Sequence, residues 1–227
     1  MENKTVVISL GGSLIVPDEV DIEFLSGFKK LIEEYVSKKC RFLIITGGGR
    51  TCRKYQAAGR KIADLSDENV DWIGIASLTL NAEFTKIIFG DLAHSKVIIE
   101  PEDLKGIEVP VIIGGAKEPG HSTDFDAVEF ANQIKATSVV NLSNIDYAYD
   151  KDPKKFPDAK KIEKTNWQEF RKILPEKWDP GLNSPFDPIA AKRAEELDIE
   201  VAILNGKNLD NLRSYFEGKD FIGTVIK

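Results

Sequence analysis

Cysteine is scarce in this chain: two residues in 227, Cys40 and Cys52, too few for a disulfide framework and not spaced as metal ligands. A reducing, cytoplasmic setting is therefore expected. The two histidines, His94 and His121, are not spaced as a metal pair either. Long apolar runs are missing. Val6 to Leu10 and Phe42 to Ile45 are strand-sized, far below the roughly 20 residues that span a bilayer. No basic segment followed by an apolar block stands at the N-terminus, so no signal peptide is expected. An excess of basic charge is also lacking, with 31 Lys and Arg against 37 Asp and Glu, a formal net charge of −6. That balance gives no overall footprint for nucleic acid, so any phosphate must be held by local groups. Repeats, low-complexity tracts and Ser- or Pro-rich linkers are absent, and a hydrophobic fraction of 42% with 30% charged residues is that of an ordinary globular chain. One domain over residues 1–227 is the expectation.

What is present is alternation. Strand-like apolar runs at Thr5 to Leu10, Arg41 to Thr46, Lys96 to Ile99, Val109 to Gly114, Ser138 to Leu142 and Glu200 to Asn205 are separated by amphipathic stretches. This is the pattern of an α/β fold: βα units around a mostly parallel central sheet, covered by helices in three αβα layers. Phe24, Leu25, Phe28, Leu31, Ile32, Tyr35 and Val36 recur at three- and four-residue steps and predict a helix. Further helices are expected at about Thr51 to Ile62 and Phe125 to Ile134. Asp187-Pro188 announces another, with a carboxylate at N-cap and proline at the first helical position. From Tyr149 to Pro185 five prolines and many lysines predict irregular excursions beyond the sheet.

Three glycine-rich turns each follow a strand: Gly11-Gly12-Ser13, Gly47-Gly48-Gly49 and Gly114-Gly115. A glycine at the carboxyl end of a strand lets backbone N–H groups approach an anion, and the next helix adds its positive end. One such turn is no more than a turn; three in one sheet point to a phosphate cradle. None continues as a Walker P-loop, and there is no dinucleotide fingerprint, so the cradle must be assembled from several loops. Arg50 and Arg53 follow the glycine triplet, with Arg53 the sharper candidate for a phosphate fork and surface arginine the alternative for both. Ser122, Thr123 and Asp124 open a helix, and any one of them would serve as its cap. Asp124 and Asp187 have a second possible role beside a triphosphate and its Mg²⁺. His121, in the same loop, is a substrate contact rather than a base.

Taken in order, GGS, GGG-R-T-C-R, D-W-I-G, P-G-H-S-T-D, N-L-S-N-I-D-Y-A-Y-D-K-D-P and F-D-P-I-A-A-K resemble the UMP kinases of the amino acid kinase superfamily, especially their archaeal-type branch, from Val7 to about Thr224. The resemblance implies the amino acid kinase fold, with an acceptor UMP half at about residues 1–135 and an ATP half at about 136–227. It implies that Gly48, Gly49, Arg53 and Thr123 bind the UMP phosphate and that Asp71 accepts from the ribose hydroxyls. The loop from Ala116 through Pro119 and His121 to Ser122 would surround the uracil. Gly11, Gly12 and Ser13 would hold the ATP phosphates, while Ser143, Asp146, Tyr149, Asp152 and Pro153 would line adenine and ribose. Asp124 and Asp187 match the pair that organises the transfer centre.

Three departures stand out. Ser9 occupies the place where many superfamily members carry a lysine, leaving Lys192 or Mg²⁺ as the charge-neutralising cation. Tyr147 replaces a family glycine, and Thr79 replaces an arginine in the helix after D-W-I-G. The resemblance implies phosphorylation of UMP by ATP with Mg²⁺ as cofactor, no nucleic-acid or membrane partner, and a homo-oligomer, a hexamer in the family. The alternatives are another small-molecule kinase of the same fold, or a nucleotide-binding member without catalysis.

Overall fold

The computed structural model describes residues 4–179 and 184–227. In chain order the elements are β1 (Thr5–Leu10), α1 (Gly12–Ile15), α2 (Ile22–Ser37), β2 (Arg41–Thr46), α3 (Gly49–Ile62), α4 (Asp67–Phe89) and β3 (Val111–Gly114). Then follow α5 (Thr123–Gln133), β4 (Ser138–Ser143), β5 (Ala148–Tyr149), β6 (Lys161–Ile162), β7 (Lys164–Thr165) and α6 (Trp167–Arg171). The chain closes with α7 (Pro188–Glu196), β8 (Glu200–Asn205), α8 (Leu209–Phe216) and β9 (Thr224–Ile226).

The main sheet runs β3-β2-β1-β4-β8-β9-β7, and β5 pairs with β6 in a separate ribbon. From β3 to β8 all neighbours are parallel, while β9 returns antiparallel to β8. The strands read as near-continuous apolar runs because both faces are covered. Val6, Ile8 and Leu10 point to one layer, where α2, α4 and α8 contribute Phe28, Ala82 and Phe216. Val7, Leu43 and Ile45 point to the other, against Val128 and Phe130 of α5, Phe170 of α6 and Ala190 of α7. Phe28, Phe42, Phe130, Phe170, Phe186 and Phe216 are fully buried; burial of such a side chain stabilises by about 1.5–3 kcal/mol.

Four of the expected strands lie within a residue of their places: β1, β2, β4 and β8. Expected strand Val109 to Gly114 begins two residues late, and Lys96 to Ile99 does not form one. Its only ladder contact is the isolated bridge of Ile98 to Gly114, on the outer flank of β3, where a single neighbour supplies hydrogen bonds. In the proline-rich excursion the chain makes the β5–β6 ribbon, β7 and α6, and Pro180 lies outside the described residues. Among the described residues no helix is long and apolar enough to cross a membrane.

Candidate active site

The chain leaves β1 toward β2 and β3 on one side and returns to β4 on the other, which makes the β1/β4 boundary the topological switch point where open α/β sheets bind ligands. Ser9 of β1 and Asn141 of β4 are register partners there, and both are buried. Each donates to the same oxygen: Ser9 Oγ to Asp124 Oδ1 at 2.8 Å and Asn141 Nδ2 to Asp124 Oδ1 at 2.7 Å. Ser122 caps α5 by accepting from the Asp124 N–H, and this sets Asp124 in the first turn above the sheet. Asp187 caps α7: its Oδ1 accepts from Ile189 N at 2.6 Å and Ala190 N at 3.3 Å, while Oδ2 accepts from Ser122 N at 2.6 Å. The backbone N–H of Asp187 donates in turn to Asp124 Oδ2 at 3.3 Å. Two helix N-termini, with their partial positive charge, therefore meet at one point through two cross-linked aspartates.

Burial, and then the neighbouring Asp187 carboxylate, push the Asp124 carboxyl up to about 7, against the opposing hydrogen bonds from Ser9 and Asn141. Asp126, two residues further into α5, is pushed well above the usual carboxylate range by burial and by Asp187 and Asp124. Its Oδ2 accepts no hydrogen bond among the described residues. The nearest ring nitrogen is His121 Nδ1 at 3.9 Å, on an imidazole that lies tilted by 37° against the Phe125 ring, 4.3 Å between centroids.

In front of this pair opens a cleft of about 260 Å³. The first two glycine turns form its back wall by interlocking. A methyl added to Gly12 would collide with the backbone nitrogen of Gly49, one on Gly47 would lie 2.7 Å from Gly12 N, and one on Gly49, at φ +68°, 2.5 Å from Gly12 O. Only glycine permits that approach. The expected Gly11, Gly12, Ser13, Gly48, Gly49, Arg53, Asp71, Pro119, His121, Ser122, Thr123, Asp124 and Ser143 all line this cleft. The structure also separates the two arginines. Arg50 pairs with Asp18 at 3.3 Å away from the cleft, whereas Arg53 lines it with no carboxylate partner among the described residues. Asp71 is buried on α4; its Oδ2 accepts from Gly120 N at 2.9 Å and from Trp178 Nε1 at 3.3 Å.

Other expected residues lie outside the cleft. Asp146 accepts from Asn205 Nδ2 at 2.9 Å beside a separate shallow depression with Lys207 and Asn208. Tyr149 belongs to the β5–β6 ribbon, and Asp152 and Pro153 are exposed beyond it, with Asp152 Oδ1 accepting from Lys154 N. The Tyr147 ring lies 4.8 Å beneath the Lys161 ammonium. Lys192 is exposed on α7 and does not line the cleft. Sequence reasoning did not single out Asn141 or Trp178. Asn141 carried a usable signal, a lone amide inside the buried run of a central strand, where such residues are depleted. Trp178, in an irregular proline-rich stretch, carried none.

The amino acid kinase family model matches residues 4–205. The uridylate kinase of Sulfurisphaera tokodaii is 33% identical over 229 residues, covering 98% of each chain, and that of Methanocaldococcus jannaschii is 33% identical over 211, covering 88% of this chain and 90% of its own. Among solved structures, the uridylate kinase of Archaeoglobus fulgidus superposes with a TM-score of 0.81 at 30% identity, over 99% of this chain and all of that one. The UMP kinase of Ureaplasma parvum shares the fold at a TM-score of 0.80 and 19% identity, with full coverage of both. A switch-point cleft walled by interlocked glycine turns, and relatives matched over nearly its whole length, place this chain in the amino acid kinase family.

Proposed function

We infer that the chain is a UMP kinase: it moves the γ-phosphoryl group of ATP onto the phosphate of UMP. The observation that carries this reading is the pairing, in one cleft, of an uncompensated guanidinium, Arg53, with a buried and oriented carboxylate, Asp71. The first suits a phosphate and the second a ribose diol, so together they describe a nucleoside monophosphate rather than an amino acid. Relatives named uridylate kinase, matched across 98% of the chain, support the same assignment.

The phosphate of UMP is already a nucleophile at neutral pH, so its oxygen attacks the γ-phosphorus directly while the bond to the β–γ bridging oxygen breaks and ADP leaves. No general base and no covalent enzyme intermediate are needed. The chain's task is to align two anions and offset their repulsion. The N–H groups of Gly12, Ser13, Gly48 and Gly49 and the N-terminus of α5 line the region where charge accumulates, while those of Gly11 and Gly47 are spent on Leu142 O and Leu10 O, and Arg53 holds the acceptor phosphate. Asp187, with both oxygens engaged by backbone N–H groups, locks the two helix ends together. Asp124, fixed by Ser9 and Asn141, aligns the centre above the switch point.

The donor set fits a Mg²⁺ ion that arrives with ATP better than one held by protein alone. Among the described residues no group of three or more His, Cys, Asp or Glu could hold a metal, and Asp124 Oδ2, with a single donor at 3.3 Å, is the oxygen left to accept from a metal-bound water. When bound with ATP, Mg²⁺ supplies the charge neutralisation that a lysine at position 9 supplies elsewhere in the superfamily. The donor nucleotide is assigned to Gly11, Gly12, Ser13 and Ser143, with Asp146, Tyr149, Asp152 and Pro153 beyond them. ADP release coupled to UMP, CMP and isopentenyl phosphate tests the reading. UMP-dependent release is expected; release with isopentenyl phosphate alone, or ATP binding with no turnover on any acceptor, would overturn it.

A further inference from the structure

Asp71 ties three distant stretches of chain into one contact. It stands on α4, accepts from the Gly120 N–H of the loop between β3 and α5, and accepts from the indole of Trp178, 107 residues further along the chain. Both donors use the same oxygen, Oδ2. Oδ1 accepts no hydrogen bond from any described residue, and it is not among the atoms shut off from solvent without a partner. An ionised carboxylate has room for about four hydrogen bonds, two per oxygen. The arrangement saturates one side and leaves the other to the cleft, which Trp178 and Asp71 both line.

The torsion that turns a carboxylate about its Cβ–Cγ bond is broad and soft, so one donor on one oxygen leaves the group free to rotate. Two donors on a single oxygen, from unconnected segments, remove that freedom and aim the second oxygen. The other indoles have different duties: Trp167 is buried and donates to Ile199 O at 3.1 Å, and Trp72 is 47% exposed. We propose that Trp178 is a positioning residue for acceptor recognition: its indole N–H, with the Gly120 N–H, anchors Asp71 Oδ2 and presents Oδ1 to the ribose hydroxyls of the acceptor nucleotide.

This inference rests on the UMP kinase reading. Trp178→Phe keeps a flat apolar ring but removes the N–H together with part of the indole's bulk, and a dideoxy acceptor separates the two. In steady-state assays of the full chain the variant raises the KM for UMP about fivefold to tenfold, with kcat and the KM for ATP within about twofold, because a hydrogen bond that orients a charged acceptor is lost. With 2′,3′-dideoxy-UMP, which has no hydroxyl to offer Asp71, variant and wild type are equal. In an Asp71→Asn background Trp178→Phe has no further effect on UMP, while thermal unfolding matches that of Asp71→Asn. Equal weakening for UMP and the dideoxy acceptor would make Trp178 a plain cover and overturn the proposal, as would no change for either. A wild-type chain that neither binds nor phosphorylates UMP would instead remove the kinase reading, and this inference with it.

Discussion

Around the acceptor cleft, the groups that matter stand at the ends of sheet strands or on the helices that follow them: Ser9 and Asn141 on β1 and β4, Arg53 on α3, Asp71 on α4, Asp124 on α5 and Asp187 capping α7. Apart from Arg53, which has no carboxylate partner among the described residues, each is fixed by hydrogen bonds from more than one segment or by a cap. The outer residues assigned to the donor nucleotide sit on a ribbon of two two-residue strands and the exposed turn beyond it, with Asp146 and Asp152 held by one or two polar contacts each. The acceptor and transfer groups are therefore preorganised by the fold, and the outer donor groups by local turns. Substitutions on the first side should act on folding and chemistry, those on the second mainly on ATP affinity.

The sharpest way to break that contrast is Gly12→Ala. Its methyl would collide with the Gly49 backbone, and relief requires both turns to move. We expect a loss of at least about 3 kcal/mol in stability, or no soluble protein, read by denaturant unfolding. A Gly12→Ala chain as stable as wild type would show that the turns are not interlocked.

Asp124→Asn should lower kcat by about 10²- to 10³-fold, the scale seen when a preorganised electrostatic group is removed. It should also separate activity from stability. The Asp124 carboxyl moves from an ordinary value near 3.8 when unfolded to about 7 when folded. Between those values the native Asp124 binds more protons than the unfolded one, so its contribution to stability is full below about pH 4 and is lost as pH rises toward 7. Asn carries no such proton, so the variant's melting temperature should gain on wild type across that window and stay parallel above it. Parallel melting curves from pH 4 to 8 would dismiss the burial account.

Arg53→Ala comes next, with a rise in the KM for UMP of about 10- to 100-fold against a change for ATP within about twofold, as expected for a lost charge-assisted contact. Arg50→Ala, which removes only the surface pair with Asp18, is the matched control and should leave both constants alone. The smallest effect is expected on the donor side. Asp152→Ala should raise the KM for ATP about twofold to fivefold with UMP unaffected and no change in melting temperature, since its partners are exposed. A strong loss of stability there would erase the contrast.

The same contrast governs what could be read in the sequence. β1, β2 and β8 match their apolar runs residue for residue, because a parallel strand covered on both faces has no other way to look. The flank fails the same rule: Lys96 to Ile99 has the composition of a strand but only one neighbour to pair with. Helix α4 escaped periodicity because Asp71, Ser77, Asn81 and Thr85 are buried while Trp72, Leu80 and Ile87 are exposed, which erases the amphipathic signal. Arg53, Asp71 and Asp124 were legible through motifs. Their partners were less so: Asn141 carries a signal as an amide inside an apolar strand, but its pairing with Asp124, like that of Trp178 with Asp71, is a long-range contact that no local spacing encodes.

The interlocked glycines carry one more consequence. Because the turn after β1 and the turn after β2 touch backbone to backbone, the gap between the places we assign to two phosphates is a dimension of the main chain itself. Side chains around the cleft can drift, and affinity for either nucleotide can drift with them. That gap stays constant until a carbon atom is added to it, which gives the enzyme a built-in gauge block that selection can remove but cannot adjust.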